Sequence, residues 1–157
     1  MSISKVREYL KQFDMQDRVM EFPVSSATVE QAAKAAGVIP ARICKTLSFS
    51  APDGCILIET AGDSRIDNGK FKKFFGFKAS MLSPGDVLSY TGHEIGGVCA
   101  FAIERDDVKV YTDISMKRFD TVFPACGSDN SAIELTCDEI HRISKALEWV
   151  DVCKDWE

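Results

Sequence analysis

The stretch KTLSFSAPDGCILIET, residues 45–60, decides the fold class of this chain. Two runs of strand-forming residues, KTLSFS and CILIET, flank a Pro-Asp-Gly turn at residues 52–54. The stretch therefore predicts two short strands joined by a hairpin-like loop. Because side chains alternate between the faces of a strand, Cys44 and Thr46 are expected on one face and Lys45 on the other, toward solvent or a cleft.

Helical patterns occur on both sides of this hairpin. Polar caps and a following glycine predict helices over residues 28–37, 67–76 and 83–92, and apolar spacing predicts another over residues 4–13. The last helix is expected to begin at Thr136, with Glu139 completing a capping box. Its expected buried residues are Ile140, Ile143, Leu147 and Val150.

Strand-forming runs dominate the second half of the chain. These runs are GGVCAFAI (96–103), KVYTDI (109–114), TVFPAC (121–126) and AIELT (132–136). The order of elements is that of an α+β protein, without the strict alternation of a doubly wound sheet. With no repeat, low-complexity tract or linker, residues 1–157 are expected to form a single domain.

Composition and charge limit the classes of function. Hydrophobic residues make up 45% and charged residues 27% of the chain, an ordinary balance for a globular protein. The chain shows neither an apolar signal region nor the roughly 20 apolar residues of a membrane span, so we expect a cytoplasmic protein without membrane contact. A formal net charge of -5 argues against general binding of nucleic acid, DNA included, so any RNA contact should be local.

The cysteines and histidines indicate neither a disulfide framework nor a metal site. The two histidines, His93 and His141, lack the paired Cys/His spacing of a zinc site, so no metal is expected. The cysteines lack a CxxC pair and are expected to be reduced, mostly as small core residues. They are Cys44, Cys55, Cys99, Cys126, Cys137 and Cys153.

The glycine loop TGHEIGG, residues 91–97, is the least ordinary segment. Glycine allows positive φ and lets backbone N–H groups approach a ligand, so the amides of Gly96 and Gly97 could hold a carbonyl or a developing oxyanion. A bulge or tight turn at a strand entrance is the alternative interpretation. Lys45 has two possible interpretations: a cation that binds phosphate or polarises an ester carbonyl, or a solvated lysine at a strand edge.

The segment GKFKKFFGFK, residues 69–78, interleaves lysines with phenylalanines. Helical spacing is expected to send the phenylalanines inward and to leave Lys70, Lys72 and Lys73 on the surface. This segment is either a solvated face or a local patch that meets an RNA acceptor stem.

Several of these motifs, in this order and spacing, resemble the YbaK/EbsC-like family of aminoacyl-tRNA deacylases over nearly the whole chain. The matching segments are Glu21-Phe-Pro, the helix at Thr28, ICKTLSF around Lys45, Arg65-Ile-Asp67 with Lys70, GHEIGG at 92–97, residues 111–113 and GSDN-x-x-IEL at 127–135.

The resemblance implies a free-standing relative of the editing domain found in some prolyl-tRNA synthetases, built as a mixed, partly closed β-sheet flanked by helices. The implied activity is trans-editing: hydrolysis of mischarged aminoacyl-tRNA, expected to be tRNA(Pro) carrying a small wrong amino acid. A mischarged tRNA and a prolyl-tRNA synthetase are the implied partners, and no cofactor is implied. The implied catalytic residues are Lys45, Gly96 and Gly97, and the implied substrate-binding residues are Phe22, Thr46, Gly92, Val98, Gly127 and Ser128.

Departures from the family pattern keep other interpretations open. Ala100 and Ala102 replace a usual proline and glycine, while Phe22 and Ala132 replace polar residues of the cysteine-specific branch. A non-catalytic module that binds an aminoacyl or nucleotide end is therefore one alternative. A second alternative, which rests on residue types alone, is a thiol nucleophile formed by Cys99 or Cys126 with His93.

Overall fold

A mixed six-stranded sheet forms the centre of the fold in the computed structural model, which describes residues 2–156. The strands are β1 (Met20–Glu21), β2 (Ile43–Ala51), β3 (Gly54–Ala61), β4 (Arg65–Ile66), β5 (Val108–Asp113), β6 (Thr121–Pro124), β7 (Ser131–Ala132), β8 (Leu135–Thr136), β9 (Trp149–Val150) and β10 (Cys153–Lys154). The helices are α1 (Ser2–Leu10), α2 (Val29–Ala36), α3 (Asn68–Phe75), α4 (Pro84–Thr91) and α5 (Cys137–Ile143), with short 3-10 turns at Lys11–Phe13, Gln16–Arg18, Pro40–Arg42 and Ile114–Arg118.

The sheet combines parallel and antiparallel pairs in the order β8-β6-β2-β3-β5-β9. The pairs β2–β3 and β6–β8 are antiparallel, whereas β2–β6, β3–β5 and β5–β9 are parallel. Two small sheets, β1–β7 and β4–β10, lie outside it. The predicted α+β class, with a mixed, partly closed sheet flanked by helices, is confirmed.

The hairpin predicted from residues 45–60 is confirmed as β2 and β3, which pair from Cys44↔Ala61 to Ala51↔Gly54. Gly54 is required at the turn because a Cβ there would stand 2.0 Å from the Asp107 carbonyl oxygen. That oxygen also accepts a 2.9 Å hydrogen bond from the Cys55 amide. The turn is therefore fixed by contact with the segment that leads into β5.

The helix caps predicted from the sequence are confirmed. Thr28 and Thr136 each form a capping box, with Gln31 and Glu139 as their partners, and Asp67 caps α3 through the Lys70 amide. Ser83 caps α4 in the same way through the Asp86 amide. The helices that pack against the sheet therefore begin at residues whose side chains satisfy otherwise unpaired backbone N–H groups.

The run GGVCAFAI, predicted as a strand, is a loop in the structure. Its central residues, 99–101, are buried, as expected of a core segment, and its other apolar residues are partly buried. Ala102 has a φ of 58°, a left-handed conformation that breaks an extended run. The last helix also ends early. Leu147, expected inside, is 59% exposed, and Val150 is buried in β9 rather than on a helix.

Glu59 is an unexpected member of the core. It lies on β3 between Thr46 of β2 and Thr112 of β5, and none of its surface reaches solvent. Burial raises the pKa of its carboxyl group from 4.5 to about 8, and the Ser144 hydroxyl opposes this only in part. The protonated carboxylic acid is therefore the form that the folded sheet favours.

This burial predicts a stability that falls with rising pH. The folded protein holds the Glu59 proton between pH 4.5 and about 8 while the unfolded chain releases it, so the free energy of unfolding declines across that window. The full loss is up to roughly 4 to 5 kcal/mol, at about 1.4 kcal/mol per pH unit. Glu59→Gln, which cannot ionise, should remove this decline and be the more stable protein at pH 8.5.

Denaturant unfolding at pH 5.5 and pH 8.5 measures the effect. The matched control is Glu148→Gln, the same substitution at an exposed position, which should leave the pH dependence of the wild type unchanged. A wild-type protein whose unfolding free energy does not fall between these pH values contradicts the prediction.

Candidate active site at an interrupted strand edge

The outer edge of β2 is paired at both ends but not in the middle. At the start of the strand, Ile43 and Cys44 pair with Phe123 and Pro124 of β6. Pro124 has no N–H group, and β6 ends there. Further along, Ser48 O accepts from Leu82 N at 3.1 Å and Ser50 N donates to Ser80 O at 2.8 Å. The outer edge at residues 45–47 therefore has no partner strand.

The backbone of Thr46 faces this gap. Ser48 and Ser50 direct their backbone groups to the outer edge, and such groups alternate along a strand with a period of two residues. Because β2 and β3 stay in register from Cys44 to Ala51, the alternation reaches Thr46 without a bulge. The N–H and C=O groups of Thr46 therefore point outward, where a ligand could pair with them as another strand would.

A cleft of about 190 Å³ occupies the gap. We call it the strand-edge cleft. It is lined by β2 (residues 43–46), the start of α2 with the preceding turn (residues 26–29 and Ala32), the loop residues Ile95, Gly96 and Val98, and a far wall of Phe123, Ala125, Ser131 and Ala132. The cleft brings together four predicted site residues, which are Lys45, Thr46, Gly96 and Val98.

Lys45 is a half-buried cation in the wall of this cleft. Its Nζ donates to the carbonyl oxygens of Ser64 and, at 3.4 Å, of Gly62. Desolvation lowers its pKa below the usual value, and the Cys153 thiol and the Asp63 carboxylate act in the opposite sense. Since two carbonyls rather than a carboxylate position the ammonium group, its charge is not neutralised within its own hydrogen bonds.

The two adjacent glycines of the glycine loop have different surroundings. Gly96 has a φ of 99° and lines the strand-edge cleft. Gly97 does not line it, and its amide already donates to the Glu94 carbonyl oxygen at 3.0 Å. The expected pair of free amides is thus reduced to Gly96, because the tight turn uses the Gly97 N–H group.

Gly97 is nevertheless required where it lies. A Cβ on Gly97 would stand 2.7 to 2.9 Å from backbone atoms of Gly127 and Ser128, and the Gly97 carbonyl accepts from the Gly127 amide at 3.0 Å. Its φ is not in the left-handed region. The expectation of a positive φ at Gly97 is corrected: the missing side chain allows two backbone segments to touch.

The remaining predicted substrate residues lie outside the strand-edge cleft. Gly92, Gly97, Gly127 and Ser128 line a separate cavity of about 330 Å³, the loop cavity. Phe22 lines neither cavity. Its backbone N–H donates to the Asn130 carbonyl oxygen at 2.7 Å, and its carbonyl oxygen accepts from the Asn130 side chain at 3.1 Å. Ile95, 63% exposed, borders both cavities and separates them.

Sequence reasoning missed the residues that close the cleft from other elements. Ser26, Ala27 and Val29 surround the start of α2, and Phe123 and Ala125 come from the end of β6. The capping box at Thr28 correctly predicts the helix start, but the sequence pattern does not show that this start borders the cleft. That box was the available signal, because a helix start concentrates unpaired backbone N–H groups.

Cys99 lies close to His93, as a thiol nucleophile with its base would, but the protonation states of both groups do not suit that role. Cys99 Sγ lies 3.5 Å from His93 Nε2, yet Cys99 is fully buried and desolvation raises its pKa to about 12. His93 Nε2 carries the hydrogen that it donates to the Phe101 carbonyl oxygen at 2.8 Å, so it is not free as a base. Burial also raises the Cys126 pKa well above its usual value. All six cysteines are unpaired.

The three lysines of α3 differ in whether their charges are already paired within the protein. Lys70 Nζ is held by Asp151 at 3.1 Å and by the Cys153 carbonyl oxygen at 3.0 Å. Lys72 and Lys73 are exposed, and within residues 2–156 neither forms an ion pair. Phe71 is buried, but Phe74 is 43% exposed, so the expectation that every phenylalanine points inward was wrong.

Helix α3 covers the sheet face that carries Lys45. Phe71 packs against Phe49, Ile56 and Ile58, which share that face through the alternation and register of β2 and β3. Lys72, Lys73 and Phe74 therefore lie on the same side of the sheet as the ammonium group in the cleft.

Comparison with known proteins agrees with this architecture. Residues 24–143 match the model of the aminoacyl-tRNA editing domain family. The chain belongs to this family. It is also similar to the uncharacterized protein YwhH of Bacillus subtilis (strain 168), with 57% identity over the full length of both chains.

Two solved structures share the fold. One is described as a candidate trans-editing enzyme for prolyl tRNA synthetase, with 27% identity, a TM-score of 0.88, and coverage of 98% of this chain and 97% of that one. The other, hypothetical protein APE2540, has 24% identity, a TM-score of 0.83, and coverage of 96% and 99%. The resemblance to YbaK-like editing domains is therefore confirmed. None of the described helices has the length and apolar character needed to span a membrane.

The backbone contact at Gly97 gives a test of its role. Gly97→Ala places a methyl group against the backbone of residues 127–128 and should lower the free energy of unfolding by roughly 1 to 3 kcal/mol, as overpacking does. Gly85→Ala is the control, because a Cβ at this position in α4 meets nothing within 4 Å. Chemical denaturation compares them, and equal stability of the two variants would contradict the contact.

Proposed function

We propose that the protein hydrolyses the ester bond of mischarged aminoacyl-tRNA in the strand-edge cleft. The supporting observation is the juxtaposition of Lys45 with the unpaired edge of β2 in a chain of the editing-domain family. A strand edge binds an aminoacyl group through backbone atoms, and a nearby ammonium group attracts an ester oxygen or a phosphate.

In this proposal the cleft acts by positioning and by electrostatic stabilisation. The Thr46 carbonyl oxygen accepts from the α-amino group of the substrate, while the Lys45 ammonium and the Gly96 amide face the ester carbonyl. The oxygen of a water molecule bonds to the ester carbon, and the bond from that carbon to the ribose oxygen breaks. The ribose oxygen gains a proton, and the free amino acid leaves. No covalent enzyme intermediate is needed, because the ester is already activated.

The size of the cleft favours a small amino acid. About 190 Å³ lies below the roughly 300 to 1,000 Å³ of ordinary ligand pockets. Its walls near Thr46 are largely apolar, with Ala27, Val29, Ala125 and Ala132 among them. A small wrong amino acid fits these dimensions. The structural likeness to a candidate editing enzyme for prolyl tRNA synthetase supports tRNA(Pro) as its carrier. Prolyl-tRNA synthetase is the proposed source of that substrate.

The RNA footprint is proposed to include Lys72, Lys73 and Phe74. The two lysines are exposed and can bind phosphates. The exposed Phe74 ring, whose centroid lies 6.0 Å from that of the Tyr111 ring, offers a surface on which a base can stack. Lys70 contributes less in this proposal, since Asp151 holds its charge.

Lys45→Ala should reduce deacylation at least tenfold while leaving the fold intact, because it removes a half-buried charge rather than a core side chain. The measurement uses tRNA(Pro) charged in turn with Ala, Cys, Ser and Thr and follows release of each amino acid. Lys34→Ala is the control, since this lysine is exposed on α2, the helix that borders the cleft.

Equal activity of Lys45→Ala and wild type would remove Lys45 from the mechanism. Tight binding of charged tRNA by the wild type, without release of any of the four amino acids, would favour the non-catalytic binding module instead.

Lys72→Glu combined with Lys73→Glu should weaken tRNA binding and flatten its dependence on salt, because fewer counterions are released. Turnover of a minimal aminoacyl ester should change little. Lys5→Glu with Lys11→Glu makes the same change of charge on α1 and on the 3-10 turn that follows it. If both double variants weakened tRNA binding equally, the net charge of the protein, rather than the lysines of α3, would determine the affinity for tRNA.

A further inference from the structure

A row of buried polar groups lies behind the strand-edge cleft. Both carboxyl oxygens of Glu59 are buried without a hydrogen-bond partner among the described residues. The same holds for Thr46 Oγ1 and Ser144 Oγ. Buried polar groups are costly unless they are hydrogen-bonded, so three such residues in one region require an explanation.

Strand register places two of the three residues side by side, and the third lies at the end of α5. Thr46 and Glu59 are directly opposite each other on β2 and β3, so their side chains share a face. Because Thr46 turns its backbone groups to the outer edge, this is a non-hydrogen-bonded pair, the kind in which facing side chains approach most closely. Ser144, just after α5, lies near enough to affect the Glu59 carboxyl. The row thus runs from the cleft floor to the end of α5.

We infer that Glu59 is a positioning residue for the strand-edge cleft: its carboxyl group joins the Thr46 hydroxyl to the Ser144 hydroxyl through hydrogen bonds, direct or by way of buried water. A carboxylic acid can donate to one hydroxyl and accept from the other, which an ionised carboxylate cannot do. The network fixes the Thr46 residue whose backbone faces the substrate. The link to deacylation rests on the proposed function, whereas the link between Glu59 and Thr46 does not.

The surroundings of Glu59 favour the acid form. Desolvation, opposed only by Ser144, raises its pKa to about 8, and no cation contributes. Burial likewise keeps the Tyr9 and Cys99 groups protonated, each with a pKa of about 12. The titratable groups around the carboxyl are Tyr9 of α1, Cys44 of β2, Cys99 of the loop and, behind Thr112 of β5, His141. Ionisation of Glu59 near pH 8 therefore removes the carboxyl O–H donor, so that only the two hydroxyls of the row can still donate.

Amide chemical shifts measured by NMR from pH 6 to pH 9.5 test the link without any substrate. The shifts of Thr46 and Ser144 should titrate together, with an apparent pKa near 8, in the wild type. Glu59→Gln should abolish both titrations, and Leu57→Val should keep them. Leu57 is the control because it is buried on the same face of β3, two residues from Glu59 and opposite Ser48 rather than Thr46. A Thr46 amide that does not respond, or that still titrates in Glu59→Gln, overturns the inference.

The effect on the proposed reaction is measured separately. Deacylation by the wild type should decline above pH 8, and the conservative variant Glu59→Gln should retain activity at pH 7 and extend it to pH 9. Glu59→Leu should lose about tenfold at both pH values, and Leu57→Val should follow the wild-type profile. Identical pH profiles in wild type, Glu59→Gln and Glu59→Leu overturn the positioning role. Absence of deacylation in every protein, with the shared NMR titration intact, counts against the proposed function and supports the network.

Discussion

The incomplete pairing of the outer edge of β2 is the constraint on which the rest of the site depends. Strand β6 covers only Ile43 and Cys44, and residues 80–82 take up the pairing again only at Ser48. A short unpaired edge inside a sheet usually requires protection, since open N–H and C=O groups attract other strands. Here the start of α2 and the glycine loop wall it off, which converts an open edge into a cleft.

The polar groups at this edge and on the neighbouring strand β3 impose costs in stability that the surrounding sheet must offset. Lys45 is half-buried against two backbone carbonyls, and Glu59 is fully buried with an elevated pKa of about 8. Each lowers the net stability of the folded chain relative to an apolar residue of similar size. The hydrophobic clusters on both faces of β3 supply the compensating burial. Polar groups retained at such a cost, next to a cleft, are typical of functional sites rather than of cores.

Local patterns predicted much of the fold, and non-local contacts account for what they missed. The β2–β3 hairpin and the caps at Thr28, Asp67 and Thr136 depend on neighbouring residues, so they could be read from the sequence. Residues 96–103 carry strand-forming side chains, yet their path is set by contacts with residues 127–128 that no local pattern contains. The same holds for the site: Lys45 and Gly96 were identified through motifs, while the wall of Phe123 and Ala125 comes from a distant strand.

The neighbouring glycines show why a motif and its chemistry need not coincide residue by residue. Gly96 and Gly97 belong to the same GHEIGG motif, but only Gly96 lines the cleft. The Gly97 amide donates to the Glu94 carbonyl oxygen, and the absence of a side chain on Gly97 lets the backbone of residues 127–128 approach closely. That contact holds the loop against residues 127–128 and thereby fixes where Gly96 lies. One glycine therefore faces the ligand and the next one keeps it in place, so loss of either would impair the cleft for a different physical reason.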